Sequence, residues 1–477
     1  MQDGCSRHIR FGPRGTMPAS PKAALAVLLL CLALPSCVST SRLTPDAGAP
    51  IALDLASQPD ETVVATYRMT AATKALHFAQ ALGGYRPEDW HPQSAGFRWM
   101  QDGTGERIER FDGGPFRVVR FTIPARYRAL PKSYAPFSPF SDGGVLIHSG
   151  QFHACLRIPC AGTDALPITI AAPGKTIGVE GRRVADQTRF VSRDDGTNIF
   201  VGNLMPEEAD GFIAIIDPGL PTTARDHLRQ SLPRAMNAFA RIYGALSFRP
   251  ELYVSMDARP RKDGHASTQG GTLPGQIFMH FDGANARERV TAQAPFWLDW
   301  FFAHEAAHLF QQDRVGKLAG DETAAWIHEG GADAMAALVL TQRGKAERGY
   351  VASRVRSAET ACATGLASAP LDRATANGNF DLQFQCGMLI WLALDESLRA
   401  RKGDGLHAVN KTLFARVKAG APWDENAFTA AARSSGAPLP LLQRVARLVH
   451  GGYRDPHDDV AALGKAALAT VLREQAN

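Results

Sequence analysis

A chain of 477 residues with 45% apolar and 21% charged side chains is long and apolar enough to bury two or three hydrophobic cores, which excludes a disordered or fibrous protein. The formal charge is +5, from 52 Lys and Arg against 47 Asp and Glu. No Lys/Arg-rich run with interleaved aromatics accompanies that excess, so nucleic acid is not an expected partner.

The N-terminus accounts for most of the charge. Twelve uninterrupted apolar residues, Ala23 to Leu34, follow Arg7, Arg10, Arg14 and Lys22. A membrane-spanning helix needs roughly twenty such residues, so this stretch fits the core of an export signal instead. The tetrapeptide Leu34-Pro35-Ser36-Cys37 resembles a bacterial lipoprotein cleavage box. That resemblance implies a signal peptide over 1–36, lipid on Cys37, and an exported protein facing the periplasm from the inner or outer membrane. Residues 37–60, rich in Ser, Thr, Pro, Asp and Ala, read as a tether. Without residues 1–36 the chain keeps 48 positive and 46 negative side chains, a net of +2. In an oxidising compartment Cys155, Cys160, Cys362 and Cys386 form an even set with three possible pairings. Proximity favours Cys155 with Cys160 and Cys362 with Cys386.

Residues 61–210 are strand-like. Thr62–Tyr67, Phe116–Phe121, Val145–His148 and Thr197–Val201 are separated by Asp-Gly, Gly-Gly and Pro-containing turns, the pattern of a β-rich, sandwich-like domain. A second domain is expected over 211–460, with a tail or helix at 461–477. It opens with an apolar run, Phe212–Asp217, and the spacing of Leu228, Leu232, Met236, Phe239 and Ile242 predicts a helix over 222–246. Glu251–Met256 is a short strand, and Gln269–Phe281 is a Gly-rich turn leading into another. This last segment is a candidate edge strand for pairing with an extended peptide, with Gly271, Gln276 and Phe278 as contact positions; an ordinary hairpin is the competing reading. Helical patterns follow over 295–313, 321–343, 382–401, 409–418 and 441–448, giving an α+β chain overall.

The chemistry is concentrated in two of these helices. His304-Glu305-Ala306-Ala307-His308 places two imidazoles four residues apart, stacked on one helix face, where both can reach one tetrahedral Zn²⁺. Glu305 is turned about 100° away, toward the coordination position left open. Zinc makes water acidic and polarises a carbonyl, and a neighbouring carboxylate takes the proton. Trp326-Ile327-His328-Glu329-Gly330-Gly331-Ala332-Asp333 begins eighteen residues after His308 and again spaces two carboxylates by four. Glu329 completes a His₂Glu set, and Asp333 can bond the free ring nitrogen of a ligand histidine and fix its tautomer. Two glycines inside a helix cost about 1 kcal/mol each, which points to close helix approach there.

The pair His-Glu-x-x-His and Trp-x-x-Glu-Gly resembles the gluzincin metallopeptidases, the clan of thermolysin and of aminopeptidases that carry a β-domain before a thermolysin-like catalytic domain. The resemblance covers about 210–420 and, more loosely, the β-rich part. It implies a mostly helical catalytic domain with a small edge sheet, and a single zinc held by His304, His308 and Glu329. Glu305 is then the general base and Asp333 the acid behind a ligand, with peptide or protein as substrate. The sequence departs from the clan's aminopeptidases twice. Where they carry a tyrosine that stabilises the oxyanion, the run here is Phe384-Gln385-Cys386-Gly387, and the missing hydroxyl leaves Tyr453 favoured over Tyr350, His407 and His450 as donor. The turn Gly270-Gly271-Thr272-Leu273-Pro274 lacks the glutamate that holds a free substrate amine, which argues against aminopeptidase activity. The competing expectation is a catalytically weak or silent zinc-binding surface lipoprotein; a hydrolase of non-peptide amides or esters is a third.

Overall fold

The computed structural model describes residues 49–473 apart from 79–81, 103–104, 131–132, 159, 161–164, 194, 210, 261–263, 265, 294, 317–321, 401–403 and 452–454. The signal segment, Cys37 and Tyr453 lie outside the described residues. The described residues belong to one compact unit, and none of their helices is long and apolar enough to cross a membrane.

The N-terminal part is a nine-stranded sheet. Its main path runs His91–Pro92, Phe116–Pro124, Thr62–Thr73, Ile51–Ser57, Leu166–Val179, Asn198–Gly202, Val145–His148 and Phe137–Pro139, and Arg182–Ser192 pairs with Leu166–Val179 off that path. A three-stranded sheet of Ala75–Phe78, Gly105–Arg110 and Phe97–Asp102 closes over it. Period-two alternation sends Leu53, Leu55, Ala65, Tyr67, Phe121, Ile168 and Ile170 into one core. The strand Ile51–Ser57 corrects the tether expected over 37–60. It sits between Thr62–Thr73 and Leu166–Val179 with Ile51, Leu53 and Leu55 buried, because Ile-Ala-Leu-Asp-Leu alternates as a strand inside otherwise polar surroundings.

A five-stranded sheet follows in the order Glu207–Ala209, Phe212–Ile216, Glu251–Asp257, Gln276–Asp282 and Ser267–Leu273. It is buried on both faces. Leu252, Val254, Ile277 and Met279 point toward the helices, while Ile215, Tyr253, Leu273 and Phe278 join Phe140, Leu146 and Phe200 of the β-rich part in a separate cluster. Polar bonds reinforce that junction: Asp217 accepts from the backbone N–H groups of Ser141 and Met256, and Gln276 exchanges bonds with the backbone of Asn198. The β-rich part is therefore fixed against the face of the sheet opposite the helices.

Three helices carry the site. The histidine helix, Phe296–Val315, is apolar on nearly every side, as a helix enclosed by other elements must be, and ends at Gly316 in the left-handed region (φ 79°). The glutamate helix, Ala325–Thr341, packs against it and against a third helix, Asp381–Arg399. Where the last two cross, Gly330 meets Gly387: a Cβ on Gly330 would lie 2.3 Å from the Gly387 Cα, and one on Gly387 would lie 2.5 Å from the Trp326 carbonyl oxygen. The disulfide Cys362–Cys386 ties the third helix to Lys345–Leu366, and Cys155–Cys160 closes a loop in the β-rich part. The segment 461–477, expected as tail or helix, is helical to Leu472 as part of a helix that begins earlier, His457–Leu472, and packs on both Lys345–Leu366 and the third helix.

Candidate metal centre

The histidine helix lies close across the strand Ser267–Leu273 because Gly270 has no side chain. A Cβ there would fall 2.3 Å from the Phe301 ring and 2.8 Å from the Phe278 carbonyl oxygen. The approach brings Thr272, on the same strand face as Gly270, to Glu305: the threonine hydroxyl donates to Glu305 Oε2 at 2.6 Å and lies 3.0 Å from the Glu305 carbonyl oxygen. The proposed base is thereby held by a hydroxyl from the edge strand.

Among the described residues, His304, His308 and Glu329 form the one group of ligand-type side chains converging on a common point. His308 Nε2 lies 3.0 Å from His304 Nε2 and 3.0 Å from Glu329 Oε2, and His304 Nε2 lies 3.3 Å from the same oxygen. Ligands about 2.0–2.1 Å from a tetrahedral ion stand at about this spacing from one another. The opposite ring nitrogens are committed elsewhere. Nδ1 of His304 lies 2.8 Å from Asp333 Oδ1, which also accepts from the Trp300 indole at 2.9 Å, and Nδ1 of His308 lies 2.8 Å from Gln311 Oε1. Both partners are acceptors, so both Nδ1 atoms carry the hydrogen and both Nε2 atoms present lone pairs. Three lone-pair donors aimed at one point repel unless a cation lies between them, and the donor set is the one a catalytic zinc takes.

Charge runs the same way. Burial alone would raise the Glu329 carboxyl, but His308 and His304 beside it hold it well below the usual carboxylate range. Burial would lower His304, yet Asp333 and the carboxylates of Glu329 and Glu305 push it well above the ordinary imidazole value. The cluster is built to hold positive charge.

The structure thus brings Glu305, His304, His308, Glu329 and Asp333 into one site. Phe384 stands beside it, its ring 5.8 Å from that of His304, so the position without a hydroxyl does face a candidate ligand. The peptide-pairing expectation needs correction at two residues. Gln276 and Phe278 lie on Gln276–Asp282, which is bonded on both sides, and of the three named positions only Gly271 is on the outer strand. Gln276 is spent on Asn198 and Glu251, and Phe278 on the cluster beneath the sheet.

Thr272, Gln311, Trp300 and His328 were not singled out by sequence reasoning. Gln311 sits three residues after His308, one helical turn on, a spacing that would have flagged it. His328 puts Nε2 3.4 Å from Glu329 Oε1, the carboxylate oxygen turned away from the histidine pair. Thr272 left no signal: it is one of three hydroxyl residues in its strand, with Ser267 and Thr268, and nothing in the sequence sets it apart.

Beside Thr272 opens a cleft of about 1030 Å³ between the β-rich part and the end of the histidine helix, lined by Tyr134, Asp195, Glu251, Thr272 and Gln312 among others.

No family model matches the chain, and no curated protein matches it in sequence. Its fold is similar to solved structures. An aminopeptidase N family protein from Idiomarina loihiensis superposes over 83% of this chain and 78% of that one with a TM-score of 0.58 at 12% identity. Native yeast LTA4 hydrolase superposes over 84% of this chain and 68% of that one with a TM-score of 0.51 at 12% identity. The same yeast enzyme in complex with bestatin gives 0.50 at 13% identity over the same shares. The likeness spans both the β-rich and the helical part.

Proposed function

We propose that the protein is a zinc-dependent metallopeptidase of the gluzincin type, hydrolysing peptide bonds with Glu305 as general base. The observation that carries this is the convergence of His304 Nε2, His308 Nε2 and Glu329 Oε2 within 3.0–3.3 Å, with Glu305 next in the chain to one of them. The shared fold with an aminopeptidase N family protein and with LTA4 hydrolase supports it. A zinc ion held by the trio supplies Lewis acidity, making water ionisable near neutral pH and polarising a carbonyl. The chain's own residues do the rest. Asp333 and Gln311 keep both imidazoles in the ligating tautomer, and Thr272 steers the Glu305 carboxylate. Glu305 takes a proton from the attacking water and delivers it to the leaving amine. Ser267–Leu273 pairs on one side only, so its outer edge can bond an extended peptide through backbone groups.

Purified protein is expected to carry one zinc per chain and to cleave members of an unbiased peptide library, while His304→Ala loses both. A parent that holds no stoichiometric zinc overturns the proposal. The second reading, a zinc-binding protein without turnover, is favoured by Phe384 at the site; it predicts stoichiometric zinc with no cleavage.

The sequence Leu34-Pro35-Ser36-Cys37 supports a further part of the reading: an exported lipoprotein held at a membrane through Cys37. Expressed in a bacterium, the full chain is expected in the membrane fraction and its Cys37→Ala variant in the soluble one. A Cys37→Ala protein that still sediments with membranes contradicts the anchor.

A further inference from the structure

We propose that Tyr134, from the β-rich part, donates the hydrogen bond that stabilises the oxyanion during peptide hydrolysis, in the role that Phe384 has no hydroxyl to fill. The inference rests on the peptidase reading above and names a residue for it.

Three donors that the sequence offered in the helical half, Tyr350, His407 and His450, are engaged in other contacts. Tyr350 is stacked on Phe296 at 5.5 Å, and His407 Nδ1 is hydrogen-bonded to the Tyr243 hydroxyl at 2.6 Å. His450 is bound to Asp372 and Glu425.

Tyr134 differs from all of these. Its backbone is clamped on both sides: Ala135 N–H donates to Gln269 Oε1 at 2.7 Å, Gln269 Nε2 donates to the Ser133 carbonyl at 3.1 Å, and Gln151 Nε2 donates to the carbonyl of Tyr134 itself at 2.7 Å. Its ring stands edge-on to Phe278 at 4.8 Å and to His148 at 5.5 Å. Packed in this way, the side chain carries its hydroxyl to Gly271 on the edge strand. A Cβ on Gly271 would lie 2.5 Å from the hydroxyl oxygen, so this position must be glycine for the tyrosine to reach past the strand. The next residue is Thr272, the partner of Glu305, and Tyr134 and Thr272 line the same cleft.

The hydroxyl has no hydrogen-bond partner among the described residues, while the carbonyl of this tyrosine accepts from Gln151. A donor held in place and left unpaired one residue along the strand from Thr272, the partner of Glu305, is what an oxyanion site requires, since it adds no reorganisation when charge develops. Burial, with the carboxylates of Glu305 and Glu329 nearby, raises the phenol above its ordinary value, so it remains a protonated donor. When the water oxygen bonds the carbonyl carbon, the C=O π pair moves onto the carbonyl oxygen. Tyr134 donates a hydrogen bond to that charge and keeps its proton, while Glu305 holds the proton taken from water.

The test compares zinc-loaded parent with Tyr134→Phe, which removes one oxygen and keeps the packing against Phe278 and His148. With a peptide found by library digestion, kcat is expected to fall by ~10²-fold with KM changed little. Affinity for a phosphonamidate peptide, which mimics the tetrahedral oxygens, is expected to fall by a similar factor. Affinity for an uncleavable ground-state peptide and the zinc content should stay unchanged. A Tyr134→Phe enzyme that turns over within threefold of an active parent, or whose loss lies in KM alone, overturns the assignment of Tyr134 and leaves the peptidase reading standing. A zinc-loaded parent that cleaves nothing overturns both.

Discussion

Glu305→Gln is expected to retain one zinc per chain and to lower kcat/KM on a cleaved peptide by ~10³-fold. Glutamine is isosteric with glutamate, and its Oε1 can still accept from the Thr272 hydroxyl that now bonds the carboxylate at 2.6 Å. The ligand trio and the bonds from Asp333 and Gln311 do not involve residue 305, so metal content is unaffected. What is lost is the ability to take a proton from water, together with the negative charge that helps to favour positive charge at His304. Metal analysis and steady-state kinetics on the same preparation separate the two consequences. Retained zinc with a rate within tenfold of the parent, contaminating peptidase excluded by an inactive His304→Ala preparation, would show that another group serves as base.

How much of this site could be read from residues alone depends on how local each feature is. His304, Glu305 and His308 lie within about one turn of one helix, and Glu329 and Asp333 of another, so helical periodicity set the placement within each group, and only the meeting of the two helices needed the fold. Both disulfides join cysteines near in sequence, which made proximity a sufficient guide. Thr272 and Tyr134 lie 33 and 171 residues from Glu305, reach the site through strand and domain packing, and leave no periodic trace. The edge-strand error has a related cause: in the hairpin Ser267–Asp282 the residues do not reveal which arm a further parallel strand will cover, and Glu251–Asp257 covers Gln276–Asp282. The helix Lys345–Leu366 went unread for want of contrast. Its buried face is Val351, Ala352, Val355, Ala358, Cys362 and Ala363, mostly small side chains among charged neighbours. Ile51–Ser57 was hidden by its Ser-, Thr- and Pro-rich surroundings, although its own alternation marks a strand.

Gly330→Ala is expected to destabilise the protein by about 3 kcal/mol and to weaken zinc binding, even though alanine is the better helix former by about 1 kcal/mol. The two effects have opposite signs, and the contact geometry decides between them. A methyl on Gly330 would lie 2.3 Å from both the Cα and the carbonyl carbon of Gly387 and 2.7 Å from the Met388 nitrogen. All three are backbone atoms of another helix, so no side chain can rotate aside and the helices themselves must separate. The glutamate helix cannot move alone. Glu329 precedes the glycine, the Trp326 backbone N–H donates to Gln383 Oε1 on the third helix, and the Ile327 carbonyl accepts from the Trp391 indole. Separation therefore breaks those bonds and shifts the Glu329 carboxylate from its 3.0 Å contact with His308 Nε2. Gly349 provides the control: it lies within the helix Lys345–Leu366 with nothing within 4 Å of a Cβ, so Gly349→Ala should stabilise by up to about 1 kcal/mol and leave zinc untouched. Denaturant melts of the metal-free and zinc-loaded forms of all three proteins measure both quantities. Equal, stabilising effects of the two alanines would mean that the backbone contact between the glutamate helix and the third helix does not set the position of Glu329.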